Sequence, residues 1–299
     1  MTRPEAEGFL SLSSPIDLTL TLAPIAHGRG DPTIRFGPDG FWRATRTPIG
    51  PATLHLRIAA GGVAVEAWGP GATAAVDGAA DLIGANDDPS AFVPQHRLIG
   101  ELVRRLPGLR LPRTNRPFEA LLPAICEQKV AGVEARAAFR GIVAAFGEPA
   151  PGPSDLRLAP APEVLAAQPY FAFHRFGLER RRADLIRAVA RLAPRLESAA
   201  PAEAYARLGA VPGIGPWTLA EVGRIAFGDP DALSVGDYHL PNLVAWALAR
   251  EPRADDARML ELLEPYRGQR GRVQRLLEAS GIQAPRYGPR MAPQTITGI

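Results

Sequence analysis

The stretch VPGIGPWTLAEVGRIAFGDPDALSVGDYHL, Val211–Leu240, decides how the chain folds. EAYARLG (203–209) before it and WTLAEVGRIAF (217–227) within it carry apolar residues at the period of one helix face. Between them Pro212 ends the first helix, and Gly213 and Gly215 permit a tight turn with no side chains on its outer surface. Pro216 suits the first turn of the second helix. Helix, glycine turn and helix therefore follow one another. Backbone N–H groups at such a turn and helix start face outward, where a phosphate oxygen is a fitting partner. The same Gly-x-Gly turn also serves as an ordinary corner between helices, so alone it assigns nothing. Further on, Asp237 stands at the N-cap of another helix (238–249), with Pro241 in its first turn. A cap needs no second role. Yet a carboxylate at a helix N-terminus also suits a sugar C1′ that develops positive charge, or the water that attacks it.

The rest of the chain narrows the chemistry. Its 299 residues are enough for two domains, and 46% apolar residues with a mean hydropathy of −0.04 are ordinary for a globular protein. No run approaches the roughly 18 apolar residues of a membrane span, and the N-terminus lacks the basic-then-apolar order of a signal peptide. A cytoplasmic, nucleoid-associated monomer without a membrane partner is expected. Cys126 is the only cysteine, which excludes an intrachain disulfide and a cysteine-ligated zinc or iron–sulfur site; a buried thiol is expected. No cofactor is called for. Residues 1–94 hold six arginines against ten acidic residues, net −4, whereas residues 95–299 hold 28 basic residues against 21 acidic, net +7. Basic charge gathered in one part suits a polyanion. Lys129 is the only lysine, which limits amine chemistry to one position.

Two regions differ in pattern. IDLTLTL (16–22), TIRF (33–36), FWRATR (41–46), TLHLRIA (53–59) and GVAVEAW (62–68) alternate apolar with polar and predict strands, parted by turns such as GRGDP and GPDG. GATAAVDGAADLIG (71–84) predicts a helix on that sheet. From residue 92 the pattern becomes helical, over 96–106, 118–130, 132–146, 179–192, 203–209, 217–227, 238–249, 255–266 and 271–280. The fold class is α+β: an N-terminal antiparallel sheet domain with a helix over 1–91, an α-helical domain over 92–285, and a loose tail over 286–299. YFAFHRF (170–176) fits a pocket lining and also a core segment. Arg180–Arg182 and Arg267, Arg270, Arg272 and Arg275 fit phosphate contacts and also ordinary exposed helix faces.

VPGIGPWT with Asp237, together with the upstream FEALLPAICEQKV, resembles the helix-hairpin-helix DNA glycosylase superfamily, in its 3-methyladenine DNA glycosylase II branch. The resemblance covers roughly residues 92–285, and the β-rich start matches that branch in order and kind. It implies that Gly213, Ile214 and Gly215 grip the DNA backbone with a monovalent cation on main-chain carbonyls, and that Asp237 is the catalytic carboxylate. It places Trp217 where glycosylases that also nick DNA carry a lysine; an indole forms no Schiff base, so a monofunctional enzyme is expected. Trp217, Glu221 and Tyr238 would then line the substrate pocket, although Trp217 also fits simple core packing. Glu221 departs from the branch, which tends to offer an aromatic there; it would attract a cationic base, accept from an exocyclic amino group, or face solvent. Lys129 departs where the branch supplies an apolar wedge, and Gln128 beside it would bond the opposite strand. The reading that results is a DNA glycosylase of base excision repair, acting on double-stranded DNA with damaged, alkylated purines. Deaminated or oxidised bases are the alternative lesions, and a non-catalytic DNA-binding protein of the same fold is the alternative class.

Overall fold

The computed structural model describes residues 3–285, and the tail expected over 286–299 lies outside them. Five strands, β1 (Ala6–Ser11), β2 (Ile34–Gly37), β3 (Gly40–Arg46), β4 (Pro51–Ala59) and β5 (Gly62–Trp68), form an antiparallel sheet in the order β1-β5-β4-β3-β2. Period-two alternation separates its faces. Phe41, Leu54, Leu56, Val63, Val65 and Ala67 turn to the main core. On the other face Trp42 stacks on His55 with ring centroids 4.0 Å apart and on Trp68 at 5.4 Å. That layer is closed by Leu156 and Leu158, beside a small pair of strands, β6 (Glu148–Pro149) and β7 (Arg157–Leu158). The GRGDP stretch is an internal turn: the Asp31 carboxylate accepts the N–H of His27 and both the N–H and hydroxyl of Thr33.

IDLTLTL does not form the expected strand. Leu18–Leu22 is helix α1, and the remaining strand of the sheet comes from AEGFLS at 6–11. Two causes are visible. The Asp17 carboxylate accepts from Leu20 N at 2.8 Å and caps the first turn. Leu18, Thr21 and Leu22, spaced three and four apart, are all buried, so a run that alternates on paper also presents a helix face.

The helix expected over 71–84 is divided at Gly78 into α2 (Ala72–Asp77) and α3 (Ala79–Leu82). Each later helical stretch forms a helix near its expected place: α4 (Arg97–Arg105), α5 (Pro117–Glu127), α6 (Gly132–Phe146), α8 (Arg180–Glu197), α9 (Pro201–Gly209), α10 (Pro216–Val222), α11 (Leu240–Ala249), α12 (Asp256–Leu263) and α13 (Arg270–Ala279); α11 begins later than expected, with His239 rather than Asp237 at its N-cap position. The short α7 (Pro162–Ala167) and a 3-10 segment at Tyr170–Phe176 were not read as helices. No helix among the described residues is long and apolar enough to cross a membrane.

Packing sorts the helices into two groups. The inner sheet face, α5, α6, α8 and the α9–α10 hairpin share one core, through residues such as Leu121, Ile142, Ile186, Ile214 and Val222. α4, α11, α12 and α13 close a second core around Leu102, Val244, Met259 and Val273. Glu119 of α5 ties the sheet to the first group, accepting from Arg43 Nη2 at 2.7 Å, Arg46 N at 2.8 Å and the Thr45 hydroxyl. The hairpin belongs to the first group and the entry to α11 belongs to the second, so Val211–Leu240 crosses the seam between them.

Candidate active site

The hairpin is built from the turn outward. Gly213 has φ +101°, and a Cβ there would meet Leu185 Cδ2 at 3.2 Å, so the fold itself demands glycine. Ile214 is buried and its N–H closes the turn on Val211 O at 3.0 Å. Gly215 differs. Its φ of −103° suits any residue, and a Cβ would find no atom within 4 Å. Nothing inside the protein requires glycine there. Pro216 then opens α10, which runs on into a π turn at Gly223–Phe227.

Gln128 braces the hairpin from α5. Its amide donates to Gly213 O at 3.1 Å and to Thr218 Oγ1 at 2.9 Å. The amide N–H groups expected to meet DNA are thus directed into the protein. Thr218, a residue that sequence reasoning missed, is buried and receives one of them. Lys129 follows, exposed and held at φ +56°, a conformation that costs about 1 kcal/mol or more for a residue with a Cβ.

Across the seam, Asp237 does two things at once. Oδ1 accepts from His239 N at 2.7 Å and Leu240 N at 2.8 Å, capping the approach to α11. Oδ2 faces the hairpin helix and meets Trp217 Nε1 at 3.3 Å. The hairpin and the carboxylate singled out in the sequence are therefore adjacent. Tyr238 next to it is 84% exposed, with its ring edge-on to His239 at 4.9 Å.

Glu221 is committed elsewhere. Its Oε1 accepts from the Ser234 hydroxyl at 2.5 Å and from Arg224 at 3.4 Å. Arg224 also bonds Glu278, and Gln274 links Glu278 to Ser234 at 2.9 Å. This polar network fastens α10 and its π turn to α13. Burial opposes ionisation of Glu278, yet Arg224 beside it holds its carboxyl below the usual range.

Most of the noted arginines serve the fold. Arg182 is buried, donating to Cys126 O at 2.9 Å and Gly177 O at 3.0 Å. Arg272 pairs with Asp87, Arg275 donates to Leu20 O, Arg270 pairs with Asp231 and Arg267 with Glu264. Arg180 and Arg181 remain exposed. Cys126 is buried and its thiol is pushed up to about 12, chiefly by that burial. The 3-10 segment 170–176 divides: Phe173 is core, and Tyr170 and Phe171 are exposed.

Sequence reasoning also missed Glu127, the last residue of α5. Burial pushes its carboxyl up to about 7, and the neighbouring Glu221 and Asp237 push the same way while Arg136 and Arg224 oppose them. Only its surroundings mark it; in sequence it is one more glutamate.

The hairpin offers main-chain carbonyl oxygens such as those of Val211 and Gly213, each engaged once and each with a second lone pair. Neutral oxygens of this kind suit a weakly held monovalent ion. Among the described residues no group of three or more His, Cys, Asp or Glu side chains is placed to hold a metal ion.

Comparison with known proteins agrees with this architecture. The fold is that of the helix-hairpin-helix DNA glycosylases. A 3-methyladenine DNA glycosylase from Archaeoglobus fulgidus superposes with a TM-score of 0.74 at 19% identity, over 91% of this chain and 97% of that one. An 8-oxoguanine glycosylase/lyase of Clostridium acetobutylicum, solved with double-stranded DNA containing cytosine opposite 8-oxoG, superposes at 0.69 and 13% identity, over 93% and 98%. A Mycobacterium tuberculosis protein named "Probable bifunctional transcriptional activator/DNA repair enzyme AlkA" is 28% identical over 169 residues, covering 53% of this chain. The match spans about a third (34%) of the length of that curated relative. No family model matches the chain.

Proposed function

We propose that the chain is a monofunctional DNA glycosylase that hydrolyses the N-glycosidic bond of a flipped, alkylated purine and leaves an abasic site. The observation that carries this reading is the meeting of Asp237 Oδ2 with the hairpin helix at Trp217. A module that only binds DNA gains nothing from a carboxylate beside its phosphate grip, where it repels the backbone.

In this reading each residue of the site has a role. Gly213, Ile214 and Gly215 present main-chain N–H groups to a DNA phosphate, with Gly215 bare so that the strand can come close. Gln128 holds the turn in shape. Lys129, exposed at the end of α5, inserts its stem where the base has left and offers its ammonium to a phosphate. Trp217 and Tyr238 provide faces against which an electron-poor base stacks. As the C1′–N bond breaks, positive charge gathers on the sugar, and Asp237 stabilises it and orients the water that adds to C1′. An alkylated, cationic purine leaves as a neutral molecule, so one carboxylate suffices. Trp217 cannot form a Schiff base, and the only lysine is at position 129 rather than on α10.

Incubation with alkylated duplex DNA tests this. Free methylpurines identified by mass, with strand breaks appearing only after alkali, are expected. Breaks without alkali would contradict the monofunctional reading, and absence of any released base would contradict the enzyme.

A further inference from the structure

Helix α10 grips the segment that carries Asp237 at two points, and the proposed mechanism uses only one of them. Trp217 and Glu221 are four residues apart, so they share a face of that helix, one turn from each other. Trp217 meets Asp237 Oδ2 at 3.3 Å, and Glu221 Oε1 accepts from the Ser234 hydroxyl at 2.5 Å. Between the two grips the chain is tied down. Ser234 O accepts Asp237 N at 3.1 Å, and Gly236 turns at φ +92° with its N–H on Asp256 Oδ1 at 3.1 Å. Ser234 is thus bonded to α10 by its side chain and to the backbone of Asp237 by its carbonyl.

The hold crosses the seam between the two cores. Ser234 is 1% exposed, and Gln274 of α13 brackets it: Oε1 accepts Ser234 N at 3.1 Å and Nε2 donates to Ser234 Oγ at 2.9 Å. Its hydroxyl donates once and accepts once, and its N–H and carbonyl are both used. Leu233 and α13 pack in the second core, whereas α10 packs in the first through Val222. Apolar contact is non-directional, but a hydrogen bond fixes a length and an angle. A fully satisfied buried network of this kind holds one arrangement. Charge balance is not what calls for an acid at 221, because Arg224 keeps Glu278 as a partner at 3.0 Å without it. Among the described residues, however, the Ser234 hydroxyl has no other acceptor.

We propose that Glu221 is the positioning residue of Asp237: its hold on Ser234 fixes residues 233–237 against α10 and keeps Asp237 Oδ2 at the hairpin helix. For base release this rests on the glycosylase reading. Glu221 touches no reacting atom in this role and acts through Ser234 alone. Misplacing a reacting group by about 1 Å costs on the order of 100-fold in rate. Removing the second grip leaves Asp237 free to move by that much.

The experiment uses the full chain and two readouts. The first needs no substrate: the indole N–H resonance of Trp217, identified by its absence in Trp217→Phe, reports the bond to Asp237 Oδ2. The second is single-turnover release of 7-methylguanine from duplex DNA, with affinity for the same duplex measured beside it. Glu221→Ala is expected to move the resonance toward that of a free indole and to lower the release rate constant by roughly 10- to 100-fold, with affinity within about threefold. Ser234→Ala removes the same bond from the other side and should do likewise, and the double variant should fall no further than either alone. Glu221→Gln keeps an oxygen that accepts from Ser234, so it should restore the resonance and bring the rate to within about fivefold of wild type. A purely structural role would lower the amplitude of release through the folded fraction and leave the rate constant, which overturns the inference. An unmoved indole resonance in Glu221→Ala overturns it too, as does a Glu221→Gln variant as slow as Glu221→Ala. If wild type releases no base, the glycosylase reading falls and the indole resonance alone decides the hold on Asp237.

Discussion

The two ends of helix α5 differ in how their charged side chains are answered. At the N-terminal end every charge is answered. Glu197 accepts from Phe118 N and from Arg116 Nη1, each at 3.0 Å, and Glu119 collects Arg43, Thr45 and Arg46 from the sheet. At the C-terminal end Glu127 has no hydrogen-bond or ion-pair partner among the described residues, and Lys129 holds a left-handed backbone in solvent. The first arrangement stabilises the fold, and the second contributes no such contacts. Acids within one helix can thus be sorted by whether their surroundings satisfy them.

That contrast can be broken at either end. The largest expected effect on stability is at the satisfied end. Arg43→Ala leaves Glu119 with its charge partner removed beside the sheet and should cost about 3 kcal/mol in denaturant unfolding. Base release per folded molecule should not change; a stable variant with lost activity would reverse the assignment of the two ends.

A pair of glycine substitutions in the hairpin draws the same line more finely. Gly213→Ala is strained by φ and by Leu185, and should lose about 1–2 kcal/mol. Gly215→Ala has open space and an ordinary backbone, so its melting temperature should stay the same while affinity for duplex DNA drops several-fold. If Gly215→Ala binds like wild type, the bare backbone at 215 is not a contact.

Lys129→Gly removes the left-handed penalty and one cation together. Stability should rise by about 0.5 kcal/mol while DNA binding weakens, and the slope of log affinity against log salt should become shallower by about one charge. An unchanged slope means that this ammonium does not meet a phosphate.

A further effect concerns pH. Glu127 is raised from 4.5 to about 7 in the folded chain, so between those values the folded protein holds a proton that the unfolded chain has released. Its contribution is therefore fully present below about pH 4.5 and is lost as pH rises toward 7. The stability difference between wild type and Glu127→Gln, measured across that window, should shift in favour of the variant by about 1 kcal/mol or more as pH rises. A difference independent of pH would show that Glu127 titrates as an ordinary exposed acid.

Much of the fold was legible because its punctuation is chemical. Gly213 and Pro216 marked the hairpin, and the β2–β3 turn was marked by GPDG. The exchange of β1 and α1 was not legible from alternation, because Leu18 and Leu22 share a helix face as readily as a strand face; Asp17 was the signal that decided it. Asp237 was found by residue type and position and Trp217 through the family resemblance, and their contact needed the seam between two cores. Glu127 and Thr218 could not be found in this way, since burial and missing or specific partners distinguish them and neither is written in a single sequence. The arginines around α13 taught the converse: a run of basic residues that suits phosphates in sequence is largely consumed by Asp87, Asp231 and Glu264 in the fold.

The central claim, that the carboxylate facing the hairpin helix does the chemistry, is tested most directly by Asp237→Asn. Asparagine keeps the cap on His239 N and Leu240 N, so the melting temperature should hold to within about 1 kcal/mol of stability. Single-turnover release of 7-methylguanine from duplex DNA should fall at least roughly 100-fold, with affinity for the same duplex retained within about threefold. Release at the wild-type rate would contradict the account and leave Asp237 as a helix cap alone.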